Sequence, residues 1–221
     1  MQREIAGVNS RLRLAELLTT RLCHDLSGPI GTMMGALAMA GDDPEGSDET
    51  RGLAMDVAMN LGHRIRLVRA AWGGTGGVMS VDELAVLCKG LPQSGKIDVN
   101  FDNLPPVGIF SGGMARLLLN VLILAAESLP NGGSVLLRGD PAGTIMVWLL
   151  GMHAAWPPHF AGWMADSEGA WAAIEGMSCE TARGLQGPLV ALMGRDSGIR
   201  LSLLMARDAE TAPPLILSPA D

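Results

Sequence analysis

Apolar residues in the first third of the chain recur at steps of three and four. Leu14, Leu18, Leu22, Leu26, Ile30, Met33 and Leu37 mark one face, the period of an amphipathic helix, and predict a helix from about Ser10 to Ala40. The polar run GDDPEGSDE, Gly41 to Glu49, breaks that period. Ala54, Leu61, Ile65, Val68 and Trp72 then restart it and predict a second helix ending at about Trp72. Two long amphipathic helices joined by a short turn make an antiparallel hairpin. Such a hairpin cannot cover its own apolar stripe. A second copy would do so by two-fold symmetry, so a homodimer with a four-helix bundle through residues 10–72 is expected.

The pattern changes after Gly73-Gly74-Thr75-Gly76-Gly77, a flexible composition that reads as a domain boundary. This divides the chain into a hairpin at 1–72, a linker at 73–77 and a second domain at 78–221. Ser80-Val81-Asp82-Glu83 is a capping box opening a short helix. Ile97 to Phe101 alternates like a strand. Met114 to Leu129 is strongly apolar and helical, and is stopped by Pro130-Asn131-Gly132-Gly133. Ser134–Arg138 and Thr144–Leu150 read as a β-hairpin around Asp140-Pro141-Ala142-Gly143. Thr181–Met193 reads as a helix and Gly198–Met205 as a strand. The end of the chain, with Pro213, Pro214 and Pro219, reads as an edge strand or a frayed tail. The fold class is α+β: a helical hairpin forming a dimeric bundle, followed by an α/β sandwich.

Composition narrows the function. The 221 residues carry a formal charge of −7, which argues against nucleic acid as a partner. The hairpin holds 8 basic and 9 acidic residues, and residues 73–221 hold 8 and 14, so the surplus of acid lies in the second domain. Three scattered cysteines, Cys23, Cys88 and Cys179, lack metal-site spacing and suit a reducing cytoplasm. No apolar run reaches the roughly 20 residues of a membrane span, so neither a membrane segment nor a signal peptide is expected.

Candidate chemistry concentrates in His24-Asp25-Leu26-Ser27-Gly28-Pro29. A carboxylate next to a helical histidine can hold one ring nitrogen through its N–H and leave the other free to attack phosphorus. Pro29 removes one backbone donor just past the histidine. Alone, an HD pair equally fits a half-buried histidine at a bundle seam. Arg21 stands one turn before His24. Arg64, Arg66 and Arg69 cluster near the end of the second helix, where they fit either a favourable helix terminus or a rim meeting an acidic partner. His63 is the competing acceptor but lacks a following acid and proline.

Together, RLCHDLSGPIG at 21–31, LLLNVLILAAESLPNGG at 117–133 and, more weakly, QGPLVALMGRDSGIRLSL at 186–203 resemble histidine phosphotransferases of the ChpT type, from bacterial phosphorelays. The resemblance spans nearly the whole chain. It implies a dimeric hairpin bearing the phosphorylated histidine, followed by a degenerate domain similar to the ATPase domain of sensor histidine kinases. The departures from working kinases bear on ATP. Where those carry a second, magnesium-holding asparagine, this chain has Leu124, four residues after Asn120. No aspartate follows the strand ending at Leu150. The phosphate loop is reduced to Gly184-Leu185-Gln186-Gly187-Pro188. Gly28 stands where a polar residue is tied to phosphatase activity in such kinases. The resemblance therefore implies a relay between receiver-domain aspartates through His24, assisted by Asp25. Arg21, Arg64, Arg66 and Arg69 would meet the partners. These are the receiver domain of a hybrid histidine kinase as donor and response-regulator receivers as acceptors. No cofactor of its own is implied, since Mg2+ sits in the receiver. The alternatives are an ATP-dependent sensor histidine kinase fragment and a non-catalytic dimeric adaptor.

Overall fold

The computed structural model describes residues 2–42, 47–74, 77–93, 95–104, 109–140, 142–205 and 211–220. The two expected helices are present and longer than their stripes suggested. The first, α1, spans Gln2–Asp42 and runs unbroken through Pro29. The second, α2, spans Ser47–Trp72, with Asp48 and Glu49 in its first turn and Arg69 in its last. Both placements favour the helix dipole. Asp43 to Gly46, the centre of the expected turn, lie outside the described residues. Ser27 and Thr32 bond back to the carbonyls of Cys23 and Gly28, so their hydroxyls stay on α1 itself.

Glycine ends α2. The N–H of Gly73 reaches the carbonyl of Arg69 at 2.9 Å, and Gly74 takes φ +84°, a conformation glycine adopts without cost. The rest is an α+β unit. The strand β1 (Met79–Ser80) pairs antiparallel with β3 (Ile109–Phe110). Between them lie α3 (Val81–Cys88), with its Ser80/Glu83 capping box intact, and β2 (Ile97–Asn103). Then follow α4 (Gly112–Glu127), β4 (Gly133–Gly139), β5 (Ile145–Leu150), α5 (Phe160–Ala165) and α6 (Ser167–Glu175). A 3-10 turn at Ala182–Leu185 feeds directly into α7 (Gln186–Asp196), and β6 (Ile199–Leu203) and β7 (Leu215–Pro219) complete the fold.

The five-stranded sheet has the order β2-β4-β5-β7-β6. Only β2 and β4 are parallel, the crossover between them carried by α4. The last strand corrects an expectation. Leu215–Pro219 is neither an edge nor a frayed tail: it lies between β5 and β6, paired to both. Leu215 and Leu217 are fully buried, so their alternation outweighs the neighbouring prolines. The expected helix at Thr181–Met193 also divides, its first turn being 3-10. The short helices α5 and α6 escaped the sequence reading because neither is long enough to show a clear period.

From Leu117 to Ala126 every residue of α4 is buried. A helix apolar all round must be covered on all sides, and here the covers include the sheet, α7 and α2. Leu67 and Ala71 of α2 belong to the same core as α4, while Leu17 of α1 packs with Ile174, Ala182 and Leu185. Leu14 and Leu18 lie against that second cluster. This corrects the expectation that the whole stripe of α1 awaits a second hairpin: its first half is covered by α6 and the 3-10 turn. Farther along, Ile30, Met34 and Leu37 on α1 and Leu53, Met55 and Met59 on α2 remain exposed.

Gly90 makes one close approach possible. A methyl there would collide with the carbonyl oxygen of His63 and lie 2.9 Å from Cβ of Leu67. Around Gly28 no atom lies within 4 Å of such a methyl. Gly90→Ala is therefore expected to destabilise by about 1–3 kcal/mol, the usual cost of overpacking. Gly28→Ala meets nothing beyond its own helix and chain neighbours, and because Pro29 follows, the helical gain of alanine is offset and a change of less than about 1 kcal/mol is expected. Urea unfolding of the two variants checks the pair, and equal shifts would contradict the packing described.

Candidate functional site

His24 lies on α1 with its side chain 63% exposed, while its neighbour Asp25 is only 15% exposed. The two are close but not hydrogen-bonded: Nδ1 of His24 is 3.8 Å from Oδ1 of Asp25. The other oxygen of Asp25 accepts from Nη2 of Arg64 at 2.6 Å. Arg64 is 16% exposed, and its Nη1 donates to the carbonyl of Gly90 at 3.2 Å. A small recess of about 80 Å³ adjoins His24, closed by Thr20, Cys179, Glu180 and Arg183. Asp25 and Arg64 also sit where two larger clefts meet. One, of about 590 Å³, runs along Pro29, Thr32, Leu61, Lys89–Gln93 and Gly95. The other, of about 700 Å³, opens between the hairpin and Ser128, Trp156, Pro157 and Gly184.

Arg21 is placed differently from its expected role at a partner surface. Its side chain is 2% exposed. It pairs with Glu127, donates to Oε1 of Gln186 at 3.2 Å and to the carbonyl of Arg183 at 3.5 Å, and lies over the Trp72 ring at 5.4 Å. The physical reason is the docking of α1 against α6 and the 3-10 turn, which buries this turn of the helix and leaves Arg21 within reach of Glu127 and Gln186. Arg66 and Arg69 are exposed on α2. His63 is half-buried, its carbonyl covered by Gly90. The structure thus gathers His24, Asp25 and Arg64, seals Arg21 beneath them, and leaves Arg66 and Arg69 at the surface.

Burial raises the carboxyl pKa of Glu127, against the opposing pull of Arg21 and Arg64. Burial likewise pushes the Cys88 thiol up to about 12, so it is an inert packing group. Cys23 and Cys179 are exposed. Asn120 is fully buried. Its Oδ1 accepts from Trp72 Nε1 and Gln186 Nε2, both at 2.9 Å, and its Nδ2 donates to the carbonyls of Ala71 and Arg116 at 3.0 and 2.8 Å. Gly187 is buried against Trp163, whose ring would lie 2.7 Å from an added methyl. Among the described residues no group of three or more His, Cys, Asp or Glu is arranged to hold a metal, and no helix is long and apolar enough to cross a membrane.

Glu127, Gln186 and Gly90 were missed as contributors. Glu127 carried a signal: an acid in the last turn of an apolar helix opposes the dipole and calls for a cation. Gly90 carried none, since only the fold reveals its contact with α2.

Residues 81–209 match the family of histidine phosphotransferase C-terminal domains. The chain belongs to this family. It is 28% identical over 163 residues, 68% of this chain and 74% of the relative, to protein phosphotransferase ChpT of Brucella abortus (strain 2308). Its fold is shared with that of a bacterial phosphotransferase at TM-score 0.75, 22% identity and coverage of 94% and 96% of the two chains. His24 lies on the hairpin, outside the family-matched residues.

The raised pKa of Glu127 has a direction that can be tested. A carboxyl whose folded pKa lies above its unfolded value binds its proton more tightly when folded. Its contribution is present at low pH and lost as pH rises from the ordinary 4.5 through the folded value. Glu127→Gln, which cannot titrate, is expected to gain on the wild type as pH rises from about 4 to 8. Urea midpoints at both pH values check this. A variant that loses ground with rising pH would show the Arg21 pairing outweighing burial.

Proposed function

We propose that the chain is the histidine intermediate of a phosphorelay and that His24 is its phospho-acceptor. The observation that carries this is the pairing of an exposed imidazole with a largely buried carboxylate in adjacent positions of one helix, in a chain of the histidine phosphotransferase family. An incoming receiver domain presents an aspartyl phosphate. The free nitrogen of His24 attacks phosphorus as the bond to the receiver's carboxylate oxygen breaks. An aspartate of a second receiver then takes the group from the phosphohistidine. Such a loose transition state asks mainly for positioning and charge neutralisation. In this reading Mg2+ belongs to the receiver, and no residue of this chain is assigned to it. Arg66 and Arg69, exposed on α2, meet the acidic receiver surface, and Asp25 orients the ring.

Two features support a relay rather than a kinase. The polar atoms of Asn120 are all taken up inside the protein. Residues 184–188, the remnant of a phosphate loop, run as a 3-10 turn into α7, with Gln186, Gly187 and Pro188 buried. Pro188 has no N–H to offer a phosphate, and the Gln186 side chain is committed to Arg21 and Asn120. Dimerisation through the hairpin is part of the same reading, supported by the exposed Ile30, Met34, Leu37, Leu53, Met55 and Met59. The site of action proposed is the cytoplasm, where receiver domains are met.

His24→Ala is expected to abolish labelling by a phosphorylated receiver domain while leaving the circular dichroism spectrum unchanged. Labelling that survives in this variant and disappears in His63→Ala would move the acceptor to His63. For assembly, sedimentation at micromolar concentration is expected to give a dimer, and Met34→Glu with Met59→Glu to give a monomer. A wild-type monomer would remove the four-helix bundle.

A further inference from the structure

The two oxygens of Asp25 face different partners. Oδ2 is held by Arg64 at 2.6 Å, while Oδ1 lies 3.8 Å from Nδ1 of His24. Arg64 is itself fixed at its other terminal nitrogen by the carbonyl of Gly90, at 3.2 Å. Gly90 reaches that position because it lacks a side chain where it presses on His63 and Leu67. The order of contacts is thus Gly90, Arg64, Asp25, His24. It crosses from the second domain, through α2, to the exposed ring on α1.

We propose that Arg64 is a positioning residue for phosphotransfer, holding Asp25 by one oxygen so that only the other serves the imidazole of His24. This rests on His24 being the acceptor. The hold has a geometric and an electrostatic consequence. Geometrically, Oδ1 is the oxygen left facing Nδ1, 3.8 Å away, and in the transfer-competent ring the proton is assigned to Nδ1 and the attack to Nε2. In the step, Nε2 forms the bond to phosphorus. The bond from phosphorus to the donor carboxylate oxygen breaks, and that oxygen leaves with the electron pair. The Nδ1 proton stays on the ring, and the resulting cationic phosphoimidazole faces Oδ1. Electrostatically, the guanidinium offsets much of the carboxylate's charge. A bare, largely buried carboxylate beside an exposed imidazole would favour the protonated ring, which has no lone pair for phosphorus. Shared with Arg64, Asp25 turns less of its charge toward the ring.

Other charged groups around the ring come in opposite signs. Arg21, one turn back on α1, is paired with Glu127 of α4. Across the recess stand Glu180 and Arg183, with the Cys179 thiol between them and α1. Arg64 is therefore the cation whose removal changes what Asp25 offers to His24.

The test uses the full chain with Arg64→Gln and Arg64→Lys. One readout is the NMR titration of the His24 ring without any phosphodonor. The other is the pH–rate profile of transfer from a phosphorylated receiver domain. In Arg64→Gln both the ring midpoint and the acid limb of the profile are expected to move up together by about half a pH unit or more. That is about a threefold loss of neutral ring below the midpoint. The rate should recover toward wild type in alkali. Arg64→Lys keeps the cation beside Asp25 and is expected to restore most of the wild-type profile. A ring midpoint unmoved in Arg64→Gln, or a rate lowered equally at every pH, would overturn the positioning role. Should Arg64→Gln not fold, Arg64→Met, of similar length and without charge, takes its place with the same two readouts, and an unmoved ring midpoint there overturns the role. Because the titration needs no phosphodonor, label found on a residue other than His24 overturns the acceptor reading separately.

Discussion

The buried guanidinium of Arg21 is the constraint on which the arrangement of the two halves depends. A charge taken out of water must be compensated where it lies. Arg21 finds its compensation in groups from α2, α4, the 3-10 turn and α7: the Trp72 ring, Glu127, the Arg183 carbonyl and Gln186. Those groups converge only if α1 lies at one height and rotation against the second domain. Removing one partner of such a pair typically costs about 3–5 kcal/mol, far more than a surface contact. The apolar contact of Leu17 with Ile174 and Leu185 adds adhesion, but an apolar contact tolerates sliding. The charge fixes the register. His24, one turn beyond Arg21, is thereby set over residues 179–183, and Asp25 is set within reach of Arg64.

The same register explains how two buried polar residues are used here. Asn120 and Gln186 are joined by two bonds from one amide nitrogen, to the side chain and the carbonyl of Asn120. Gln186 in turn accepts from Arg21, and Asn120 from Trp72. A buried amide left unpaired costs about 1–3 kcal/mol, so each member depends on the others remaining in place. The network runs through α1, α2, α4 and α7. It stitches the hairpin to the second domain.

Much of this was legible in the chain. The 3.6-residue stripe located both long helices, and the capping box at Ser80 and Glu83 located the start of α3. The β4–β5 hairpin followed from its turn chemistry. Asn120 was already read as a fold residue, and its bonds agree with that. Illegible were the features that depend on distance in three dimensions. Nothing in a local pattern says that Leu215–Pro219 returns to the middle of the sheet. Nor does it say that Arg21 turns inward while Arg66 and Arg69 stay out, since three arginines on amphipathic helices look alike until the partner surface is known. Asp25 was read as holding the His24 ring, and its Oδ1 lies 3.8 Å from Nδ1. Its stronger partner, Arg64, lies 39 residues away.

That division of Asp25 between two partners suits a relay better than a one-way catalyst. A group that must be received from one aspartate and surrendered to another cannot rest in a deep well at the histidine. A full carboxylate charge against the phosphoimidazolium would deepen that well, and would also hold the empty ring protonated before transfer. A carboxylate drawn toward a fixed guanidinium weakens both effects by the same interaction, because Coulomb attraction to the ring falls as Asp25's charge is offset. The guanidinium keeps its charge at every working pH, so the moderation does not titrate away. Lysine would supply the charge but not the fork that grips Asp25 and Gly90 at once. The choice of arginine at position 64 therefore serves two ends: it tempers the acid beside His24, and it ties that tempering to the docked position of the second domain.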